Sequence, residues 1–208
     1  MPGTFKGVLE KISREKAPGP TPSFSLFHML QAIELIAERP IGRNKLAENL
    51  NVGEGAIRTV IERLKDAGLI TMSREGCTLT DKGKKLWREY KSAMKKIEIR
   101  KSELALAAYN SAILIKNGGD KISSGVEQRD AAVKAGAKGA TTIIFKKGHL
   151  IIPSVSNNMI NDFPTAANQI IRLLKPEEND AIVIGSGNSL SEAEHGVLAA
   201  AWTLLDDC

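Results

Sequence analysis

The chain has 208 residues, 25% charged and 42% hydrophobic, which suits one or two globular domains; with only 4% aromatics, any core must be built mainly from Leu, Ile, Val and Ala. No run approaches the roughly 18 apolar residues of a membrane span, and the opening six residues lack the apolar stretch of a signal peptide, so a cytosolic (cytoplasmic) protein is expected. The net charge of +5 is uneven: residues 1–101 hold 20 Lys and Arg against 12 Asp and Glu, residues 102–208 hold 9 against 12, so only the first half is suited to a polyanion.

Residues 1–23 contain Pro18, Gly19, Pro20 and Pro22 and read as an irregular arm with one helical turn near residues 8–12. From Phe24 the pattern becomes helical: Leu26, Leu30, Ile33 and Ala37 recur at helical spacing until Pro40 stops the run. A short helix is expected over 43–50, a tight turn at Asn51-Val52-Gly53, and a third helix over 54–67 with Ile57, Val60, Ile61 and Leu64 inward and Gly68 ending it. Two strand-like pieces, 69–73 and 77–79, flank Arg74-Glu75-Gly76 as a hairpin tip. A basic helix follows from Asp81 to about Lys101, its apolar stripe being Leu86, Tyr90, Met94 and Ile97. This order is that of a winged helix-turn-helix over 24–81 with a basic linker helix over 82–101.

Winged helices of this order place the helix after the turn in the major groove. With its apolar face inward, the outward face carries Glu54, Gly55, Arg58, Thr59, Glu62, Arg63 and Lys65. Arg58 can donate bidentately to guanine, and Glu54 or Glu62 can accept from cytosine or orient an arginine. Gly53 and Gly55 remove side chains where the helix N-terminus would meet a phosphate. Arg43 and Lys45 are placed to grip backbone phosphates, and Arg74 to reach the minor groove.

The stretches Gly42-Arg43-x-x-Leu46-Ala47, Gly53-Glu54-Gly55-Ala56-Ile57-Arg58-Thr59, Gly68-Leu69-Ile70 and Leu79-Thr80-x-Lys82-Gly83 resemble archaeal winged-helix transcriptional regulators. Residues 125–132 (GVEQRDAA) and 136–142 (GAKGATT) resemble the uncharacterised domain appended to the winged helix in a two-domain archaeal family. The resemblance implies a DNA-binding protein, with Ala56 inside the reading segment, and it implies no catalytic residues.

The second half, 102–208, reads as strand (107–116), helix (126–135), strand (141–146), strand (149–152), helix (164–175), strand (180–185) and a final Ala-rich helix (190–205), with Lys147-Gly148 as a hairpin turn. The order βαββαβ plus a helix is that of a ferredoxin-like sheet, so the fold class expected is α+β, a winged helix-turn-helix followed by an α/β sandwich. Three pieces are candidates for a small anionic ligand: Gln128, Arg129 and Asp130 early in a helix; Thr141 and Thr142 at a strand start; and Ser186, Gly187 and Asn188 between a strand and a helix. The plain alternatives are an Asp130–Lys134 surface pair and a Ser189–Glu192 capping box.

Cys77 and Cys208 make neither a disulfide framework nor a zinc motif, and His28, His149 and His195 have no partner at motif spacing, so no metal, cofactor or catalytic set is expected. The function expected is a sequence-specific transcription regulator that binds double-stranded DNA as a homodimer, with 102–208 for dimerisation and sensing of a small anionic effector. The competing readings are an architectural or protein-interaction winged helix and, behind it, an enzyme of anionic metabolites with an accessory winged helix.

Overall fold

The computed structural model describes residues 4–14 and 23–206. The chain divides into two compact units, one reaching Lys91 and one spanning Ser92–Asp206.

The first unit opens with α1 (Phe5–Arg14), whose Phe5, Leu9 and Ile12 are buried. The arm expected over 1–23 is thus in part a ten-residue amphipathic helix; the Pro-rich remainder, residues 15–22, lies outside the described residues. The i, i+4, i+7 spacing of Phe5, Leu9 and Ile12 gives this helix its buried face, and the prolines lie beyond its end. Three further helices, α2 (Leu26–Glu38), α3 (Arg43–Leu50) and α4 (Glu54–Asp66), bury Met29, Leu30 and Ile33, then Leu46 and Leu50, then Ile57, Val60, Ile61 and Leu64. Between α3 and α4, Asn51 takes a left-handed conformation (φ 51°) and caps α3 with its N–H. At the end of α4, Gly68 (φ +70°) donates to Lys65 O and Leu69 N to Leu64 O, a Schellman arrangement that satisfies the last carbonyls.

The strands β1 (Ile70–Ser73) and β2 (Gly76–Leu79) pair antiparallel, and Ile41 exchanges two backbone hydrogen bonds with Cys77 to add a third short rung. Gly76 is required there: its φ is +122°, and a Cβ would stand 2.6 Å from the carbonyl of Ile41. The hairpin is followed by α5 (Asp81–Ala93), which buries Leu86 and Tyr90. Tyr90 meets Phe5 of α1 edge-on at 5.9 Å and stacks on Trp87 at 4.9 Å.

Expected to continue to Lys101, the basic helix instead stops at Ala93, and β3 (Met94–Glu98) begins at the next residue. Met94 to Glu98 pair antiparallel with Ser111 to Ile115, so the backbone bonds and the burial of Met94 outweigh the helical preference of Met, Lys and Glu in this stretch. The sheet of the second unit continues with β4 (Tyr109–Ile115), β5 (Gly139–Lys146), β6 (His149–Ile151) and β7 (Ala181–Gly187), in the order β3-β4-β7-β5-β6, all antiparallel. A ferredoxin-like sheet would place β6 between β4 and β5, and that expectation is corrected here: β7 occupies that slot. Lys147 (φ 53°) and Gly148 (φ 77°) form the two-residue hairpin that pairs β6 with β5, a pairing common to both strand orders, and β6, only three residues long, takes the edge. β7 is almost wholly buried and belongs at the centre, flanked on both edges.

Helices cover both faces of the sheet. On one face α8 (Pro164–Leu174) lays Ala166, Ala167, Ile170 and Leu174 over Leu114, Ile143, Ile182 and Ile184, with α7 (Met159–Asp162) beside β6. On the other, α9 (Leu190–Trp202) packs on β4 and β7, and α6 (Val126–Lys134) packs on β5 and α9. The result is a three-layer sandwich. Among the described residues no helix is long and apolar enough to cross a membrane, and no group of three or more His, Cys, Asp or Glu could hold a metal ion.

Candidate nucleic-acid interface and candidate effector cavity

α4 begins at Glu54 behind Gly53, and α3 begins at Arg43 behind Gly42. A Cβ added at Gly42, Gly53 or Gly55 would meet nothing within 4 Å. Internal packing therefore does not demand glycine at any of the three; their small size leaves the free amides of two helix N-termini open to an outside partner. Gly42 was not among the candidates taken from the sequence.

The exposed start of α4 is organised around one carboxylate. Glu54 Oε1 lies 3.1 Å from Arg43 Nη2 and 3.7 Å from Arg58 Nη2, so it links the first residue of α3 to the second turn of α4. All three side chains are at least 40% exposed, so these pairs add little stability; their effect is to hold two guanidinium groups beside each other on one surface. Lys45 pairs with Glu48 at 2.8 Å, Glu62 is exposed, Ala56 is half-buried, and Thr59 donates its hydroxyl back to Gly55 O at 3.1 Å. Arg74 stands exposed in the turn between β1 and β2. A recess of about 540 Å³ between the start of α3 and β1 is lined by Gly42, Arg43, Asn44, Lys45 and Met72. Asn44 and Met72 are additional members that helical spacing and strand alternation alone did not single out; Met72 is 52% exposed on the hairpin.

One expected member of the reading face is not there. Arg63 is only 7% exposed. Its Nη1 donates to Ser13 O at 2.9 Å and to Ile12 O at 3.3 Å, and its guanidinium lies 5.3 Å from the centre of the Phe24 ring. It closes the C-terminal end of α1, where the helix carries partial negative charge and unsatisfied carbonyls. Helical phase alone turns Arg63 to solvent; the cover comes from α1, some fifty positions away in the chain.

In the second unit the candidate residues separate. Arg129, Thr141 and Ser186 line one cavity of about 520 Å³, together with Lys138, Glu103 and an apolar wall that includes Leu104, Leu106 and Ile184. Gln128 is buried and donates to Thr203 Oγ1 at 2.8 Å. Thr142 is buried against Gly125, on the opposite side of β5 from the neighbouring Thr141. Asp130 pairs with Arg129 at 3.1 Å rather than with Lys134. The loop at Ser186, Gly187 and Asn188 does not form an open anion cradle: Glu192 Oε2 already accepts from Asn188 N at 2.8 Å and from Asn188 Nδ2 at 3.1 Å, and a Cβ on Gly187 would collide with Glu192 and Ala193. Ser189 caps α9 by accepting from Glu192 N. Lys138 and Glu103, missed in the sequence, enter through tertiary proximity alone. Glu103 accepts from Thr165 N (3.1 Å) and Ala166 N (3.0 Å) at the start of α8. Desolvation opposes its charge, but the hydrogen bonds from backbone groups and Thr165 prevail and hold its pKa below the usual value.

Residues 25–94 match the CggR N-terminal DNA binding domain, and residues 106–204 match a domain of unknown function, DUF4443. Over 71 residues, 34% of its length, the chain is 37% identical to the central glycolytic genes regulator of Priestia megaterium (strain DSM 319 / IMG 1521), a match that spans only 20% of that protein. A hypothetical protein from Pyrococcus horikoshii OT3 has a solved structure that superposes with a TM-score of 0.72 at 27% identity, covering 88% of this chain and 93% of the other. These similarities, set on the geometry of α3, α4 and the hairpin, give a two-domain protein whose N-terminal domain is of a DNA-binding regulator type.

Proposed function

We propose that the protein is a non-catalytic, sequence-specific transcription regulator acting in the cytoplasm, in which α4 enters the major groove of double-stranded DNA. The observation that carries this reading is the exposed N-terminal half of α4, with Glu54, Gly55, Arg58 and Glu62 on a helix whose other face is apolar, lying inside the stretch similar to a DNA-binding domain. Arg58 reads a base edge, Glu54 orients Arg58 and Arg43, and Arg43, Lys45 and the glycine-capped helix starts hold the phosphates. Arg74 lies against the minor groove. The half 102–208 dimerises the protein and takes a small anionic effector.

Selection of bound genomic fragments tests this first: an enriched motif is expected, whereas uniform recovery would point to an architectural role. On the enriched site Arg58→Ala should cost about 1–3 kcal/mol, with little change on random duplex. Lys45→Ala should weaken both and reduce the salt slope. Equal loss on all sequences for Arg58→Ala would exclude base reading by that residue.

A further inference from the structure

In the cavity of the second unit, charge and uncovered apolar surface meet. Its polar side is built from three separate segments. Arg129 comes from α6, Lys138 precedes β5, and Ser186 ends β7; the backbone N–H of Lys138 donates to Ser186 O at 2.8 Å and fixes the second to the third. Arg129 is more than half exposed and engages only one carboxylate oxygen, that of Asp130. Lys138 is exposed and, among the described residues, its ammonium forms no ion pair. The remaining lining is largely apolar. Leu104 is half-buried against the core, while Leu106 at the rim is 77% exposed, an aliphatic side chain left in water with nothing covering it.

Charge selects the class of ligand. Glu103 contributes one negative charge to the lining, with both oxygens already engaged by α8, and Asp130 offsets part of Arg129. The four formal charges, two of each sign, sum to zero, and Lys138 is a cation with no ion-pair partner among the described residues, so the site offers an incoming anion at most that single positive charge. A diphosphate or triphosphate would bring more charge than the site can neutralise, and it would set that charge against Leu104 and Leu106. A single carboxylate with an aliphatic or aromatic body matches both sides.

We propose that this cavity binds a small organic monocarboxylate, its carboxylate between Arg129 and Lys138 and its apolar body against Leu104, Leu106 and Ile184. This rests on the reading of 102–208 as the effector-binding half and gives that site its ligand class. Arg129 supplies planar paired donors and Lys138 a point charge, and Thr141 lines the same cavity; the Ser186 hydroxyl already donates to Asn110 Oδ1 at 2.6 Å. The volume of about 520 Å³ lies in the range of small-molecule sites and admits such a body together with water.

The test uses the full-length, isotope-labelled protein and amide chemical shifts. Titration with 4-methylpentanoate is expected to move resonances of 103–107, 129, 138–141 and 184–186 saturably. The neutral isostere 4-methylpentanamide, and inorganic phosphate, should bind about tenfold or more weakly, as should 4-methylpentanoate to Lys138→Gln and to Arg129→Gln. Both substituted residues are exposed, so folding is checked simply by the unchanged spectrum elsewhere. Equal binding of the amide, stronger binding of phosphate, or the absence of saturable shifts at these residues up to millimolar ligand would overturn the proposal. Duplex affinity measured without ligand on the same samples reads the DNA-binding function separately, so loss of one does not mask the other.

Discussion

Two arginines on one helix, Arg58 and Arg63, do opposite work because of what stands beside them. Arg58 is solvent-exposed and loosely held by Glu54; Arg63 is enclosed by α1 and Phe24 and bonded to two carbonyls. Arg63→Ala should therefore lower stability by about 1.5–3 kcal/mol, the range for hydrogen bonds from a charged donor, and thermal denaturation will show it. At temperatures where the variant is folded, duplex affinity should be nearly unchanged; a selective loss of affinity with unchanged melting would return Arg63 to the reading face. Gly55 offers the converse experiment. It is the second residue of α4 and an added Cβ meets open space. Gly55→Ala should raise stability by about 0.5–1 kcal/mol through helix propensity, yet weaken DNA binding if the duplex backbone approaches there. An affinity equal to wild type would place the contact elsewhere on α4.

At the scale of elements, α2 carries a titratable cap. Ser25 N donates to His28 Nδ1 at 3.0 Å, and Ser25 in turn receives the His28 backbone N–H, a reciprocal box in which the imidazole must be neutral to accept. Burial holds the His28 pKa below its ordinary value. The unfolded chain therefore binds the proton more readily than the folded one. Stability from this group is complete above the unfolded pKa of about 6.5 and is lost as pH falls through the lower folded value. His28→Gln keeps an acceptor at the same capping position and removes the titration. Melting temperatures from pH 7.5 down to pH 5 should fall more steeply for wild type than for His28→Gln; parallel curves would show that the cap does not depend on the imidazole. α1 is an element of the same kind of consequence. It lies outside the stretch similar to known DNA-binding domains, yet Leu9 is fully buried, and Leu9→Ala should destabilise by about 2–5 kcal/mol as a core truncation does.

For the whole molecule, the expectation is a homodimer on DNA. One winged helix reads few base pairs, and two half-sites related by a two-fold axis are the common solution. Light scattering at tens of micromolar protein should return twice the 22.5 kDa chain mass, and the selected motif should be palindromic with half-sites about one or two helical turns apart. A monomer mass with and without DNA, or a single half-site motif, would argue for binding as one chain. The charge division between the halves of the chain predicts further that the salt dependence of DNA binding resides in the first half, with a slope of about −0.9 for each phosphate neutralised.

The three helices and hairpin of the first unit were legible in the sequence because each signal there is local: apolar spacing of 3 and 4, Gly68 at a helix end, Gly76 in a turn, and pieces short enough that period and length agree. The hairpin at Lys147-Gly148 and the helix opened by Pro164 were legible for the same reason. What neighbours impose was not. Ala93 ends α5 because the next residues find a strand to pair with 13 to 21 positions on, and no periodicity within Met94–Glu98 announces it. The strand order follows from which strand can be buried on both faces and both edges, a comparison among β4, β5, β6 and β7 that no single segment contains. The sites divide in the same way. Arg58 and Glu54 were found from helical phase alone. Arg63 was misplaced because its cover lies 50 residues away, and Lys138, Glu103 and Leu106 became a site only when the fold drew their segments around one cavity. Local sequence determines most of the elements and the phase of their apolar stripes; tertiary packing decides where a helix gives way to a strand, which faces meet each other and which remain for a ligand, because those choices depend on the burial and charge of residues far apart in the chain.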